Sequence, residues 1–213
     1  MRDITGLDKL ISGFDSVLRT LLIPEQRTSH RASPAENFVD VPLNQQEKRH
    51  AAGLMRVNHA GEVCAQALYQ GQALTAKLPT VKTQMAQAAQ EEIEHLSWCE
   101  ERLTELNSRP SLLNPLWYTG SFLLGSIAGW AGDKWSLGFV VETERQVAQH
   151  LREHMQGLPA NDEKSKAIVK QMEIDETQHA NAAIKAGAVE LPYPIKKIMN
   201  KVSKLMTKSS YYI

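Results

Sequence analysis

Cysteine is nearly absent. Cys64 and Cys99 stand far apart with no C-x-x-C beside either, which leaves no disulfide framework, fits a reducing compartment and makes both thiols candidate core filler. Glycine and proline are sparse, and the alternating apolar pattern of strands is missing over most of the chain, so the expectation is an all-α protein. Charge of one sign is not in excess either. With 24 basic and 24 acidic residues, nothing global attracts nucleic acid. No G-x-G-x-x-G follows a strand, so no dinucleotide domain is encoded. The N-terminal stretch "MRDITGLDKLISGFDSVLRTLL" has no continuous apolar run, and Asp3, Asp8 and Asp15 argue against a secretory signal or a transit peptide. At 213 residues the chain is long enough for one sizeable core and short for two.

What is present is helical periodicity. Ile4, Leu7, Leu10, Ile11, Phe14, Val17, Leu18 and Leu21 share one face of an amphipathic helix within residues 1–31, and a polar linker follows over 32–43. The bundle is expected over 44–190. One helix starts near Asn44 and runs to Lys77 before Pro79, and a second covers Thr80 to Asn107. A third covers Asp133 to Gln156. The fourth is capped by Asp162, reaches Ala186 and stops at Gly187. Residues 110–132 carry no charge and are long enough to span a bilayer. Pro110, Pro115 and the glycines favour instead a crossover holding a short apolar helix. The tail, 191–213, carries five lysines and no acid. Ile195, Ile198, Met199, Val202 and Leu205 give it a basic amphipathic character.

Each helical residue turns by roughly 100°, so positions three, four and seven apart share a face. In "EEIEHLSWCEERL" that rule sets Glu92 among Met85, Ala88, His95, Cys99 and Leu103, and turns Glu91 and Glu94 to the wet side. Glu144 falls among Leu137, Val140, Val141, Ala148 and Leu151. Glu176 falls with Val169, Met172 and Ala180, and Glu62 with Met55, Ala65 and Tyr69. Four helices each aim one carboxylate inward, and His95 and His179 follow two of them at i+3. A buried carboxylate needs a cation or a proton, and no lysine or arginine shares these faces. Glu from two helices plus Glu-x-x-His from two others is the ligand set of a di-iron or di-manganese bundle. Glu62, Glu92, His95, Glu144, Glu176 and His179 are therefore the candidate metal ligands.

Chance placement would supply about half of one Glu-x-x-His; the weight lies in two such pairs, each one helix after an inward glutamate. A third pair, Glu47 and His50, lies roughly 22 Å along the helix from Glu62, beside Lys48 and Arg49, and reads as a solvated face. His150 and His154 stand at i, i+4 but turn away from the Glu144 stripe. His154 reads as a surface group and His150 as a neighbour of the ligands. His59 is a supporting or structural residue, and Tyr69 is either core packing or a proton or radical relay. The apolar crossover, the amphipathic N-terminal helix and the lysine-rich tail together suit a protein resting on an anionic membrane and drawing a lipid-soluble substrate from it. The same segments would also serve by packing on the bundle or between subunits.

The stretches "LMRVNHAGEVCAQALYQGQ", "EEIEHLSWCEERL", "GFVVETERQVAQHL" and "MEIDETQHANAAIKAGA" resemble the demethoxyubiquinone hydroxylase family in order and spacing, from about residue 45 to the C-terminus. That resemblance implies a ferritin-like four-helix bundle with additional amphipathic and apolar helices for membrane contact. It implies a di-iron monooxygenase of ubiquinone biosynthesis that hydroxylates the ring of a polyprenylated demethoxyubiquinone or demethoxyubiquinol. It also implies two iron ions on the same six residues, O2 as co-substrate, and His150 near the quinone. Electrons would come from reduced nicotinamide, the quinol or a partner protein. Other ubiquinone-biosynthesis proteins and a second copy of the chain are the further partners. Mitochondrial members often carry aspartate in place of Asn58 and tyrosine in place of Leu151. The N-terminus without transit character then points to a bacterial member, peripheral on the cytoplasmic face of the inner membrane. Three alternatives share parts of the pattern: a ferroxidase or rubrerythrin-like peroxidase, a di-manganese catalase, and a metal-free helical membrane adaptor.

Overall fold

Asn44 opens the bundle. Its side chain accepts the Gln46 and Glu47 amide N–H groups at 2.9 Å, and Glu47 in return accepts the Asn44 N–H at 2.9 Å. This reciprocal cap satisfies donors that a helix start leaves unpaired, and it gives Glu47 a structural task far from the inward acids. The computed structural model describes residues 6–22 and 31–213; the expectations for residues 1–5 and 23–30 lie outside these. The helices are α1 Gly6–Leu21, α2 Gln45–Thr75, α3 Pro79–Glu105, α4 Asn114–Ala131, α5 Asp133–Gly157, α6 Glu163–Lys185 and α7 Tyr193–Tyr212. Among the described residues there is no strand. Helices α2, α3, α5 and α6 make the bundle, α4 crosses along α2, and α7 lies against α2 and α5.

The expected boundaries shift where tertiary partners intervene. α2 ends at Thr75, short of Lys77, and Leu78 is extended (φ −84°, ψ 129°), as a residue preceding proline prefers. Asp133, at the start of α5, accepts the Lys77 and Leu78 N–H groups at 3.0 and 2.8 Å. Asp162 caps α6 as read from the sequence, accepting the Ser165 N–H at 3.0 Å. Gly187, with φ 98°, supplies the left-handed residue after the helix end.

The crossover holds a longer helix than its composition suggests. α4 has 18 residues, because Pro115 falls in its first turn, where a missing N–H costs nothing. Gly125 and Gly129 serve close approach to α2, and no glycine breaks the helix. A Cβ on Gly125 would lie 2.3 Å from the Leu68 carbonyl oxygen, and one on Gly71 would lie 2.3 Å from the Phe122 carbonyl oxygen. α4 is thus pressed against α2 backbone to backbone. Among the described residues no helix is long and apolar enough to cross a membrane.

The linker is the second difference. Residues 31–43 wrap the face of α3 that periodicity assigned to water. Ala35 packs in the core cluster with Trp98, the Arg31 guanidinium lies 4.9 Å over the Trp98 ring, and Asp40 accepts Arg102 Nη1–H at 3.0 Å. Arg102 also donates to Ser165, Glu105 and Asp162 at 2.9, 2.6 and 2.8 Å, tying the end of α3 to the start of α6. Glu94, expected on the wet side, is buried, as are Trp98 and Arg102. Glu91 is half-buried. The helical spacing on α3 was sound; the covering segment comes from far upstream, where α3 alone carries no trace of it.

Candidate metal centre

The six inward residues converge at mid-bundle. Glu92, His95 and Glu144 are fully buried and Glu62 and Glu176 are 1% exposed. Their ligand atoms form two groups, Glu62, Glu92, His95 and Glu176 in one and Glu92, Glu144, Glu176 and His179 in the other, each within 4.8 Å. Glu92 and Glu176, the glutamates of the two Glu-x-x-His pairs, belong to both groups. The bundle therefore offers two adjacent four-residue sites sharing two carboxylates.

Both histidines face the same way. His95 Nδ1 lies 3.1–3.4 Å from oxygens of Glu62, Glu92 and Glu176, and His179 Nδ1 lies 3.2–3.4 Å from Glu92 and Glu176. The outer nitrogens reach other acids: His95 Nε2 is 3.0 Å from Asp175 and His179 Nε2 is 2.6 Å from Glu91. With the N–H donated outward, each Nδ1 lone pair confronts carboxylate oxygens, a repulsive contact that only a proton or a cation relieves. Glu92 Oε1, Glu144 Oε2 and Glu176 Oε1 are buried with no hydrogen-bond partner, a costly condition for charged oxygens. Donor set, orphaned oxygens and carboxylate-oriented imidazoles all fit divalent metal ions.

Glu91 and Asp175 were not singled out from the sequence. A signal existed: an acid precedes the glutamate in both "EEIEH" and "DETQH". Asp175 on α6 backs His95 of α3, and Glu91 on α3 backs His179 of α6, a reciprocal exchange. Tyr69 is fully buried and donates its hydroxyl to Glu144. His59 joins Glu100 and Asn114 at 3.2 Å each, linking α2, α3 and the start of α4, a structural role. His154, expected at the surface, is half-buried and 2.6 Å from Asn58 Oδ1; burial lowers its pKa to about 4. No hydrogen bond joins the half-buried His150 to the six residues. His50 pairs with the Tyr211 hydroxyl at 2.6 Å and the Gly157 carbonyl at 2.9 Å, docking α7.

Without metal the cluster stores protons. Burial, then the neighbouring carboxylates, push Glu62 and Glu144 well above the ordinary range. Against the lowering effect of burial, hydrogen bonds donated by the imidazoles to the surrounding carboxylates raise His95 and His179. A group raised in the fold stabilises below its unfolded pKa and loses that contribution as pH rises through the folded value. The stabilisation from both histidines therefore declines above the ordinary value of 6.5. Glu92 and Glu176 are depressed, stay ionised in both states there and add no slope. The metal-free protein should lose melting temperature from pH 6.5 toward 8.5, and added divalent metal should restore most at the alkaline end, since binding displaces these protons. Thermal melts with and without chelator across that range check it; a metal-free melting temperature that rises with pH would count against the proton-storing cluster.

Beside His179 opens an apolar cleft of about 190 Å³. Met85, Leu137 and Val140 wall it, and Tyr69, Glu91 and His179 line its inner side. An apolar cavity of about 150 Å³ suffices for benzene, so the cleft has the volume of a single ring.

Fold and site together define a ferritin-like helical bundle with a buried carboxylate–histidine cluster. A dodecameric thioferritin from Bacteroides fragilis, a bacterioferritin-related protein, matches with TM-score 0.55 over 65% of this chain and 84% of its own, at 18% identity; the likeness is one of fold. The chain belongs to the family described as ubiquinone biosynthesis protein COQ7, whose model matches residues 49–210. Among its relatives is a 3-demethoxyubiquinol 3-hydroxylase of Legionella pneumophila (strain Corby), 65% identical over 213 residues and the whole of both chains. Another, of the same description, from Acinetobacter baylyi is 60% identical over the same full span.

Proposed function

We propose that this protein is a di-iron 3-demethoxyubiquinol 3-hydroxylase, with Glu62, Glu92, His95, Glu144, Glu176 and His179 holding two iron ions. The observation that carries the reading is the pair of ligand groups sharing Glu92 and Glu176, with His179 on the wall of an apolar, ring-sized cleft. Full-length relatives of that description support it, against the ferroxidase, catalase and adaptor alternatives. The net reaction replaces a ring C–H by C–OH. One O2, two electrons and two protons are consumed, and the second oxygen leaves as water. The electrons come from reduced nicotinamide or quinol. Iron, when bound, supplies the reduction of O2 and the insertion of one oxygen atom.

The chain supplies the surroundings. Met85, Leu137 and Val140 exclude water from the ring. Glu91 and Asp175 hold each imidazole with its N–H outward, which keeps Nδ1 available as ligand. Burial raises the Tyr69 pKa well above that of a free phenol, so its hydroxyl stays protonated and holds a proton between Glu144 and the cleft. His150 is half-buried, and its placement near the quinone rests on the family resemblance alone.

The polyprenyl tail stays in lipid. Leu116, Ile127 and Trp130 of α4 are 62%, 62% and 78% exposed, and α7 exposes Ile198 and Leu205 beside Lys197, Lys201 and Lys204. Apolar residues flanked by lysines suit peripheral contact with an anionic bilayer, on the cytoplasmic face of a bacterial inner membrane. Other ubiquinone-biosynthesis proteins or a second copy of the chain are the remaining proposed partners.

Anaerobically purified protein should carry about two irons per chain and convert demethoxyubiquinol with O2 uptake. Iron oxidation without ring hydroxylation would sink the reading. Anionic vesicles should sediment the protein better than zwitterionic ones, and Lys197→Gln with Lys201→Gln should weaken partitioning about 30-fold, at about 1 kcal/mol per lysine. Equal partitioning to both lipids would remove the electrostatic part of the membrane proposal.

A further inference from the structure

The two halves of the metal centre are backed unequally. Glu91, behind His179, lines the cleft, and its side chain is 35% exposed. Asp175, behind His95, is 7% exposed and is held from two further directions. Gln171 Nε2–H donates to its Oδ1 at 2.9 Å, and Arg31 Nη2–H donates to its Oδ2 at 2.8 Å, the oxygen that also faces His95. Arg31 Nε–H donates to Glu94, one residue before His95. The same guanidinium stacks over Trp98, whose ring lies 5.3 Å from that of His95. One side chain thus reaches an acid on α3, an acid on α6 and an aromatic ring packed on a candidate ligand. Gln87 Nε2–H donates to Glu91 Oε1 at 3.3 Å, as Gln171 does to Asp175, but among the described residues no counterpart of Arg31 stands behind Glu91: the cleft occupies that place.

We propose that Arg31 is a positioning residue that makes the two metal sites unequal. By fixing Asp175, it fixes the outward N–H of His95. The Glu62–His95 site then keeps its metal longer and exchanges its imidazole proton more slowly than the Glu144–His179 site beside the cleft. The inference rests on the di-metal reading above and goes beyond it in assigning a task to the segment preceding α2. Arg31 precedes the stretch 49–210 matched by the family model, and the planar fork of arginine is what allows one cation to bridge two carboxylates. Lysine, a point charge, holds one acid at a time.

The test uses full-length protein loaded with two equivalents of Co(II) and challenged with excess chelator. The parent should release metal in a fast and a slow phase. Arg31→Gln should speed the slow phase about 10- to 100-fold, the usual cost of losing an outer partner of a metal-bound histidine, and leave the fast phase within about twofold of the parent. Glu91→Gln should speed the fast phase only, and Arg31→Lys should restore part of the slow phase. The Co(II) form adds a readout that general loosening of the fold does not move. Its two histidine ring N–H protons give separate, strongly shifted exchangeable resonances, and Arg31→Gln should accelerate solvent exchange of the slower one alone.

A single release phase in the parent, or unchanged phases in Arg31→Gln, would overturn the inference while leaving the di-metal centre standing. So would equal acceleration of both phases with a matching fall in the metal-free melting temperature, which marks a strap that only stabilises the fold. Failure of the parent to bind metal would sink the centre itself, and the inference with it.

Discussion

Glu144→Gln should bind at most about one metal per chain and hydroxylate at least about 100-fold more slowly than the parent, while its metal-free form melts no lower. The loss follows from position. Glu144 is fully buried, belongs to one of the two ligand groups and accepts the Tyr69 hydroxyl. Glutamine keeps the shape and an acceptor oxygen for Tyr69, but removes the anionic ligand. The retained stability follows from charge. Burial, with Glu176 and Glu92 beside it, pushes the Glu144 carboxyl well above its ordinary range, so in the metal-free fold this acid is a liability that an amide relieves. An alkaline melting series makes the contrast sharpest, because there the parent pays most to hold the acid unpaired. Elemental analysis, single-turnover assay and thermal melt check the three parts. Full metal content with normal turnover would remove Glu144 from the centre.

The second large effect is on stability. Gly125→Ala should destabilise the fold by at least about 3 kcal/mol, the upper end of the usual overpacking cost. The new Cβ would meet the Leu68 carbonyl oxygen at 2.3 Å and its carbonyl carbon and Cα at 3.0 Å. These are backbone atoms, which cannot turn aside as a flexible side chain can; α4 must lift from α2, and the α2 segment that lifts bears Tyr69. Gly120→Ala is the matched control in the same helix. Its Cβ would meet nothing within 4 Å, so the gain in helix propensity should stabilise by about 0.5–1 kcal/mol. Denaturant midpoints of the two variants should move in opposite directions. If both moved up, the close approach of α4 to α2 would be wrong.

Residues 110–132 show why composition alone underestimated the length of the crossover helix. Read locally, Pro115 and four glycines interrupt a helix. In the fold, Pro115 sits in the first turn of α4 and Gly125 is the point of contact with α2. The local propensity cost of glycine is about 1 kcal/mol, which packing along a whole helix face outweighs.

The inward turn of Glu62, Glu92, Glu144 and Glu176, and the presence of His95 and His179 one turn on, were legible in the sequence. The rotation of about 100° per residue is set by the backbone and needs no knowledge of neighbours. The caps at Asn44 and Asp162 were legible for the same reason, being bonds within a few residues. Only the tertiary structure decided the rest. It placed Arg31 and Asp40 over the supposedly wet face of α3, burying Glu94, Trp98 and Arg102. It paired Asp175 with His95 and Glu91 with His179 across helices, and it opened the cleft on one side of the centre. Periodicity says which residues share a face; what covers that face depends on segments distant in the chain, brought there by the closure of the fold.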